Sequence, residues 1–197
     1  MGTGERPMQP LTPKDLWPLP VYEGVRDQFR REVIAAKEDR RVAVGPSMTF
    51  VFENRLTVKF QVQEILRIER ITSEEAVREE LEGFNGMLPG NGELSATLLI
   101  ELRGSDEEVK AELAKLVGLR EHVFLEVSGR RFAGELEPDR EDARRVSAVQ
   151  YVRFRAPPAT VLRESPAALV IDYPAYAHRQ ELTAATRRAL AQDLEAP

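Results

Sequence analysis

The sequence predicts an α+β protein of one domain, a mostly antiparallel sheet packed with several helices. Three observations lead there. The chain has 197 residues, 42% of them hydrophobic, which supplies one substantial core. Helical stripes and β-rich runs alternate without the βαβα rhythm of a parallel sheet. The strand-like runs cluster after His122, where short connections favour antiparallel pairing.

The first twenty residues hold five prolines, each removing a backbone donor, and Met1 to Pro10 reads as a flexible tail ahead of a domain spanning 11–197. Val25, Phe29, Val33 and Ala36 recur at steps of four and three, with arginines on the other faces, so a helix is expected from Val21 to Arg41. Gly45-Pro46 breaks it. Ser47 to Glu53 (SMTFVFE) is β-branched and aromatic and is expected as the first strand.

The next stretch, RLTVKFQVQEILRIERI, fits two periodicities. Leu56, Val58, Phe60 and Val62 alternate like a strand, whereas Val58, Val62, Ile65 and Leu66 share a helical face. A helix is preferred, capped by Asn54 or Thr57, because Gln, Glu, Leu and Arg lose little rotamer freedom there. The competing arrangement is a hairpin turning at Asn54-Arg55. Thr72-Ser73-Glu74-Glu75 resembles a capping box, and Val77, Leu81, Phe84 and Leu88 form the stripe of a further helix. A strand is expected over Leu94 to Leu102, then a helix from the Ser105-Asp106 cap to Leu116, ended by Gly118. His122 to Val127 and Arg131 to Leu136 are expected to pair through Ser128-Gly129-Arg130. Glu137 to Arg145 reads as a charged loop, Val146 to Arg155 and Ala168 to Asp172 as strands, and Glu181 to Leu194 as the last helix. The expected core comprises Val25, Phe29, Phe50, Phe52, Val62, Ile65, Leu98, Ile100, Phe124, Tyr151 and Val170.

Chemistry-bearing residues are sparse. The absence of cysteine removes disulfides, thiolate catalysis and cysteine-held clusters, so no iron–sulfur cluster, haem, flavin or other cofactor is expected. The net charge of -5 argues against nucleic acid as a partner. No apolar run approaches the ~20 residues of a spanning helix. Membrane insertion is not expected, and a cytoplasmic location follows as the default. His122 and His178 belong to no E-x-x-H or HExxH pair. Pro89-Gly90-Asn91-Gly92 matches no phosphate-binding fingerprint and reads as a turn. Neither a catalytic nor a metal-binding residue is assigned. The most unusual polar cluster is Glu53, Asn54, Arg55, Gln61, Glu64, Arg67 and Arg70, with Gln61, Glu64 and Arg67 spaced by three on the expected helix. It is a candidate interaction or ligand surface, although a solvated, salt-bridged helix face is the commoner role of such a row.

The strings FENRLTVKFQVQEILRIERI and LPGNGELSATLLIEL, with the LTPKDLWPLPVYEGVRDQFRREVIAAK opening, EHVFLEV and ALVIDYPAY, resemble the bacterial DUF3501 family, named only as a domain of unknown function. The resemblance runs nearly end to end and carries no catalytic residues. It implies a setting beside a rubrerythrin and a heterodisulfide-reductase-like iron–sulfur protein, hence redox-stress physiology. On that implication the chain is an accessory or interaction protein whose partner is a rubrerythrin or an iron–sulfur oxidoreductase. The alternative is a small-ligand- or metal-binding enzyme using the carboxylate, Arg and Gln side chains of residues 53–70.

Overall fold

The Gly45-Pro46 breaker turns a hairpin rather than joining a helix to a first strand. In the computed structural model, which describes residues 8–141 and 146–196, the first helix, α1, is Leu19–Glu38. It stops short of the expected Arg41, because Arg41–Val44 forms strand β1 and pairs antiparallel with β2, Met48–Glu53. The β1 pattern of exposed Arg41 and Ala43 and buried Val42 and Val44 is too short to stand out beside an arginine-rich helix.

Helix α2, Arg55–Glu69, confirms the helical reading of the ambiguous stretch. Asn54 decides the matter locally: its Oδ1 accepts the Leu56 and Thr57 N–H groups at 3.1 Å, while Thr57 Oγ1 accepts the Asn54 N–H at 3.0 Å. Asn54 Nδ2 also donates to the buried carboxylate of Asp193 at 3.0 Å. Asn54→Ala is therefore expected to cost about 2 kcal/mol, above the ~1 kcal/mol of a plain cap. Urea denaturation of the pair measures it, and an unchanged midpoint would contradict the cap.

Helix α3, Glu74–Asn85, starts at Ser73, whose hydroxyl accepts the Ala76 N–H. The remaining elements are β3 (Glu93–Ile100), α4 (Asp106–Ala114), β4 (Val123–Val127), β5 (Arg130–Leu136), β6 (Val149–Arg155), α5 (Ala159–Glu164), β7 (Ala167–Tyr173), β8 (Tyr176–Glu181) and α6 (Ala184–Glu195). The β4–β5 turn has positive φ at Ser128 and Gly129, as a two-residue hairpin demands. Of the expected Glu137–Arg145 loop, residues 142–145 lie outside the described residues, and Pro138–Arg140 forms one 3-10 turn.

The eight strands form one antiparallel sheet in the order β1-β2-β3-β6-β5-β4-β7-β8. It curls into a near-barrel, with Phe50, Phe52, Leu98, Val152, Phe154, Leu125 and Leu169 inside. Leu162 of α5 and Leu190 of α6, with Leu113 and Leu119 near α4, complete that core. No main-chain hydrogen bond joins edge strands β1 and β8 among the described residues. Tyr176 bridges the seam instead, its hydroxyl donating to the Val44 carbonyl at 2.7 Å and accepting the Ser47 N–H at 3.0 Å.

Outside the barrel, α1, α2 and α3 build two further apolar clusters. One holds Val58, Val62, Leu66 and Leu81, with Tyr151 of β6 packed against it; the other holds Tyr22, Phe29 and Val33. Expected core residues Val25, Ile65 and Tyr151 are thus half-buried between layers. Phe124 faces outward, because Val123, Leu125 and Val127 take the inner positions of β4, and the Arg131 guanidinium lies 5.1 Å from its ring centre. The expected tail differs as well. Met8 and Leu11 are buried with Val58 and Leu66, while residues 1–7 lie outside the described residues.

Candidate functional site

The polar cluster singled out in the sequence separates along α2 into three groups. At the amino end, β2 delivers the Glu53 carboxylate beneath the helix, 4% exposed. Thr57 Oγ1 donates to it at 2.5 Å, Gln61 Nε2 at 3.1 Å and Thr97 Oγ1 at 2.7 Å. Thus Glu53, Asn54 and Gln61 do converge, as a buried joint between β2, β3 and α2. Three neutral donors hold the acid there, which ties the start of α2 to the sheet.

Glu64 forms the second group. Its Oε1 accepts from the Tyr22 hydroxyl and from Arg26 Nε, each at 2.8 Å, and Arg26 Nη2 reaches Oε2 at 2.8 Å. Arg67 Nε adds a contact at 3.3 Å. The Arg26 hydrogen bonds, aided by Tyr22 and Arg67, hold this carboxyl down to about 2 despite its partial burial. Burial and the neighbouring carboxylate push the Tyr22 phenol upward. The Glu64 and Arg67 part of the candidate surface is therefore the α1–α2 joint, with the Glu64 side chain only 18% exposed.

The sign of the resulting pH dependence follows directly. A carboxyl whose folded-state pKa is depressed contributes stability above its ordinary value of 4.5 and loses that contribution as pH falls toward 2. Glu64→Gln is expected to lose about 2 kcal/mol at neutral pH and to flatten the acid limb between those values. Denaturation midpoints collected across the acid range test this; parallel curves for parent and variant would contradict it.

Arg55 belongs to a third group, donating to the Gln9 carbonyl at 3.1 Å and pairing with Asp15 at 2.7 Å. Burial raises the Asp15 carboxyl, but the Arg55 and Thr12 hydrogen bonds prevail and bring it to about 2. Arg70 joins none of these groups. It ends α2 with φ 55, the left-handed conformation that closes a helix, and is exposed. Beside it Ile68 is 65% exposed.

Two features went unread in the sequence. Trp17, the sole tryptophan, stacks near Tyr22 and Phe29, and Lys59 Nζ sits 3.6 Å from its ring centre. Burial lowers the Lys59 amine. Trp17 also lines an apolar cleft of about 340 Å³, walled by Pro13, Leu16 and Pro18 on one side and Leu66, Ile71 and Val77 on the other. The density of proline and leucine around Trp17 was the available signal. Only the fold shows that this stretch lies across α2 and α3. Among the described residues, three or more His, Cys, Asp or Glu side chains nowhere gather in a metal-binding arrangement, and no helix is long and apolar enough to cross a membrane.

The fold and these joints define a class: an eight-stranded antiparallel near-barrel, flanked by three helices and a proline-rich strap. The chain belongs to the DUF3501 family of proteins of unknown function, whose model matches residues 10–194. It is similar to the crystal structure of a protein of unknown function from Burkholderia pseudomallei K96243, with 32% identity and a TM-score of 0.87. That match covers 94% of this chain and 100% of the other. No curated protein matches the sequence.

Proposed function

We propose that this protein is an accessory protein of a redox-stress system, docking onto an oxidoreductase through the carboxyl end of α2 and the cleft beside it. The observation that carries this reading is the cleft. It is open and apolar, and it adjoins the α2–α3 corner, where Ile68 and Arg70 are exposed. A contiguous exposed apolar surface is the usual mark of a protein contact. The partner classes follow from the family resemblance: a rubrerythrin or an iron–sulfur oxidoreductase. The competing reading, an enzyme using carboxylate, Arg and Gln around residues 53–70, has less support, because Glu53, Gln61, Glu64 and Arg67 hydrogen-bond one another and their neighbours.

Arg67 is tied to Glu64, so the docking charge falls on Arg70. Biolayer interferometry of the immobilised chain against a purified rubrerythrin and a purified iron–sulfur oxidoreductase tests the proposal. Binding is expected to one of them, with association of Arg70→Glu slower than that of the parent at low salt, the gap closing as salt rises, and a loss for Ile68→Ser. If neither protein binds the parent, or both variants bind as the parent does, the reading fails.

A further inference from the structure

The segment 8–17 crosses α2 and α3 in a manner unlike any other part of the chain. Among the described residues, no main-chain to main-chain hydrogen bond ties it to the rest of the molecule. Two side-chain amides do so instead. Asn85 Oδ1 accepts the Leu11 N–H at 2.8 Å while its Nδ2 donates to the Leu11 carbonyl at 2.9 Å. Gln63, fully buried, does the same for Trp17, accepting its N–H at 2.6 Å and donating to its carbonyl at 3.3 Å. An amide that takes both the donor and the acceptor of one residue acts as a fragment of neighbouring strand and reads main chain regardless of side chain. Side-chain selection comes from the apolar seats of Met8 and Leu11, 7% and 3% exposed, and from the Arg55 pair with Asp15. Together these form a groove for a peptide that makes one 3-10 turn at Pro13–Asp15 between its two amide-held residues, occupied by the chain's own strap.

We infer that this groove also accepts the strap of a second copy of the chain, giving an exchanged dimer. The strap is the one ligand whose fit is on display, and contacts made in exchange are identical to those made within one copy. The connection suits the step: Leu16 and Pro18 are both extended, with ψ 148 and 146, and Pro18 and Pro20 stiffen the link into α1. The strap's hydrogen bonds and ion pair to the rest of the chain are made by side chains of α2 and α3, and its Trp17 packs on Tyr22 and Phe29 of α1, so withdrawal disrupts no ladder of the sheet. The exchanged copy supplies Trp17 and Pro13, which makes the cleft a composite of two chains.

A tethered strap competes at an effective concentration in the millimolar range, and this sets the experiment. A labelled peptide of residues 8–20 is titrated into the full chain, with uptake read by fluorescence anisotropy. Half-maximal uptake is expected near ~1 mM. Leu11→Asp placed in the chain weakens the resident strap and is expected to raise uptake of the parent peptide at least ~10-fold, whereas the same change in the peptide abolishes uptake. Opposite signs for one substitution distinguish groove competition from general destabilisation. Independently, two differently tagged, unsubstituted copies mixed at ~1 mM are expected to yield mixed dimers on native mass spectrometry. Failure of the unsubstituted chain to take up the peptide, with tagged copies that never mix, overturns the inference.

Discussion

Asp193→Ala is expected to cost about 3–5 kcal/mol of folding stability, because it strands a buried guanidinium. Arg40 meets the Asp193 carboxylate through Nε at 2.7 Å and Nη2 at 2.9 Å, with side chains only 11% and 8% exposed. The same carboxylate accepts the Asn54 amide at 3.0 Å, and Arg40 Nη1 donates to the Ala36 carbonyl at 2.8 Å. One acid near the carboxyl terminus thus fastens the end of α1 and the start of α2 onto α6. Removing the acid leaves a desolvated cation and an unpaired amide, so the loss exceeds the net worth of the pair. The double replacement Arg40→Met with Asp193→Leu is expected to recover most of it, since no buried charge remains. Urea denaturation midpoints decide between these outcomes. A single variant within 1 kcal/mol of the parent would show that the triad is not what joins the three helices.

Gly45→Ala is expected to cost about 3 kcal/mol, combining left-handed strain with overpacking at the barrel seam. Gly45 has φ +70, and a Cβ there would stand 2.6 Å from the His178 ring and from the Tyr176 hydroxyl. Those rings are themselves packed edge to face, 4.5 Å between centres, so neither yields without opening the β1–β8 seam. Tyr176→Phe is the matched control, losing the bridge to Val44 and Ser47 but adding no clash, at ~1 kcal/mol. Hydrogen exchange of β1 and β8 amides should rise in Gly45→Ala more than in the control. Equal stability for the two variants would place the cost in the lost bridge alone.

Much of the local structure was legible in the residues. Asn54 next to Arg55 and Thr57 carried the cap that resolves the double periodicity of the following stretch, and Ser105 with Glu108 carried another. Strand β8 was not legible: YAHRQE has no apolar alternation, and four of its six residues are exposed and none is buried, so no stripe betrays it. Pairing with the apolar β7 alone makes it a strand. Helix α5 was hidden by Pro157-Pro158, where Pro158 proved to be its cap residue. In β4 the outer face carries Phe124 with Glu126 and the inner face Val123, Leu125 and Val127, so the size of one aromatic ring points against the strand's own alternation, and the barrel leaves that ring outside.

The candidate site divides along the same line. The sequence by itself determined that polar residues crowd one helix after a strand, that the fold is α+β with a mostly antiparallel sheet, and to which family the chain belongs. Composition, periodicity and caps are local quantities, written in neighbouring residues. The tertiary structure alone decided where those polar groups point. Glu64 is bound by Tyr22 and Arg26 from 42 and 38 residues away, Glu53 by Thr97 from 44, and Asn54 by Asp193 from 139. It also decided that a proline-rich opening becomes a strap held by Asn85 and Gln63. Such partnerships depend on chain segments meeting at long separation, and no spacing along the sequence encodes them.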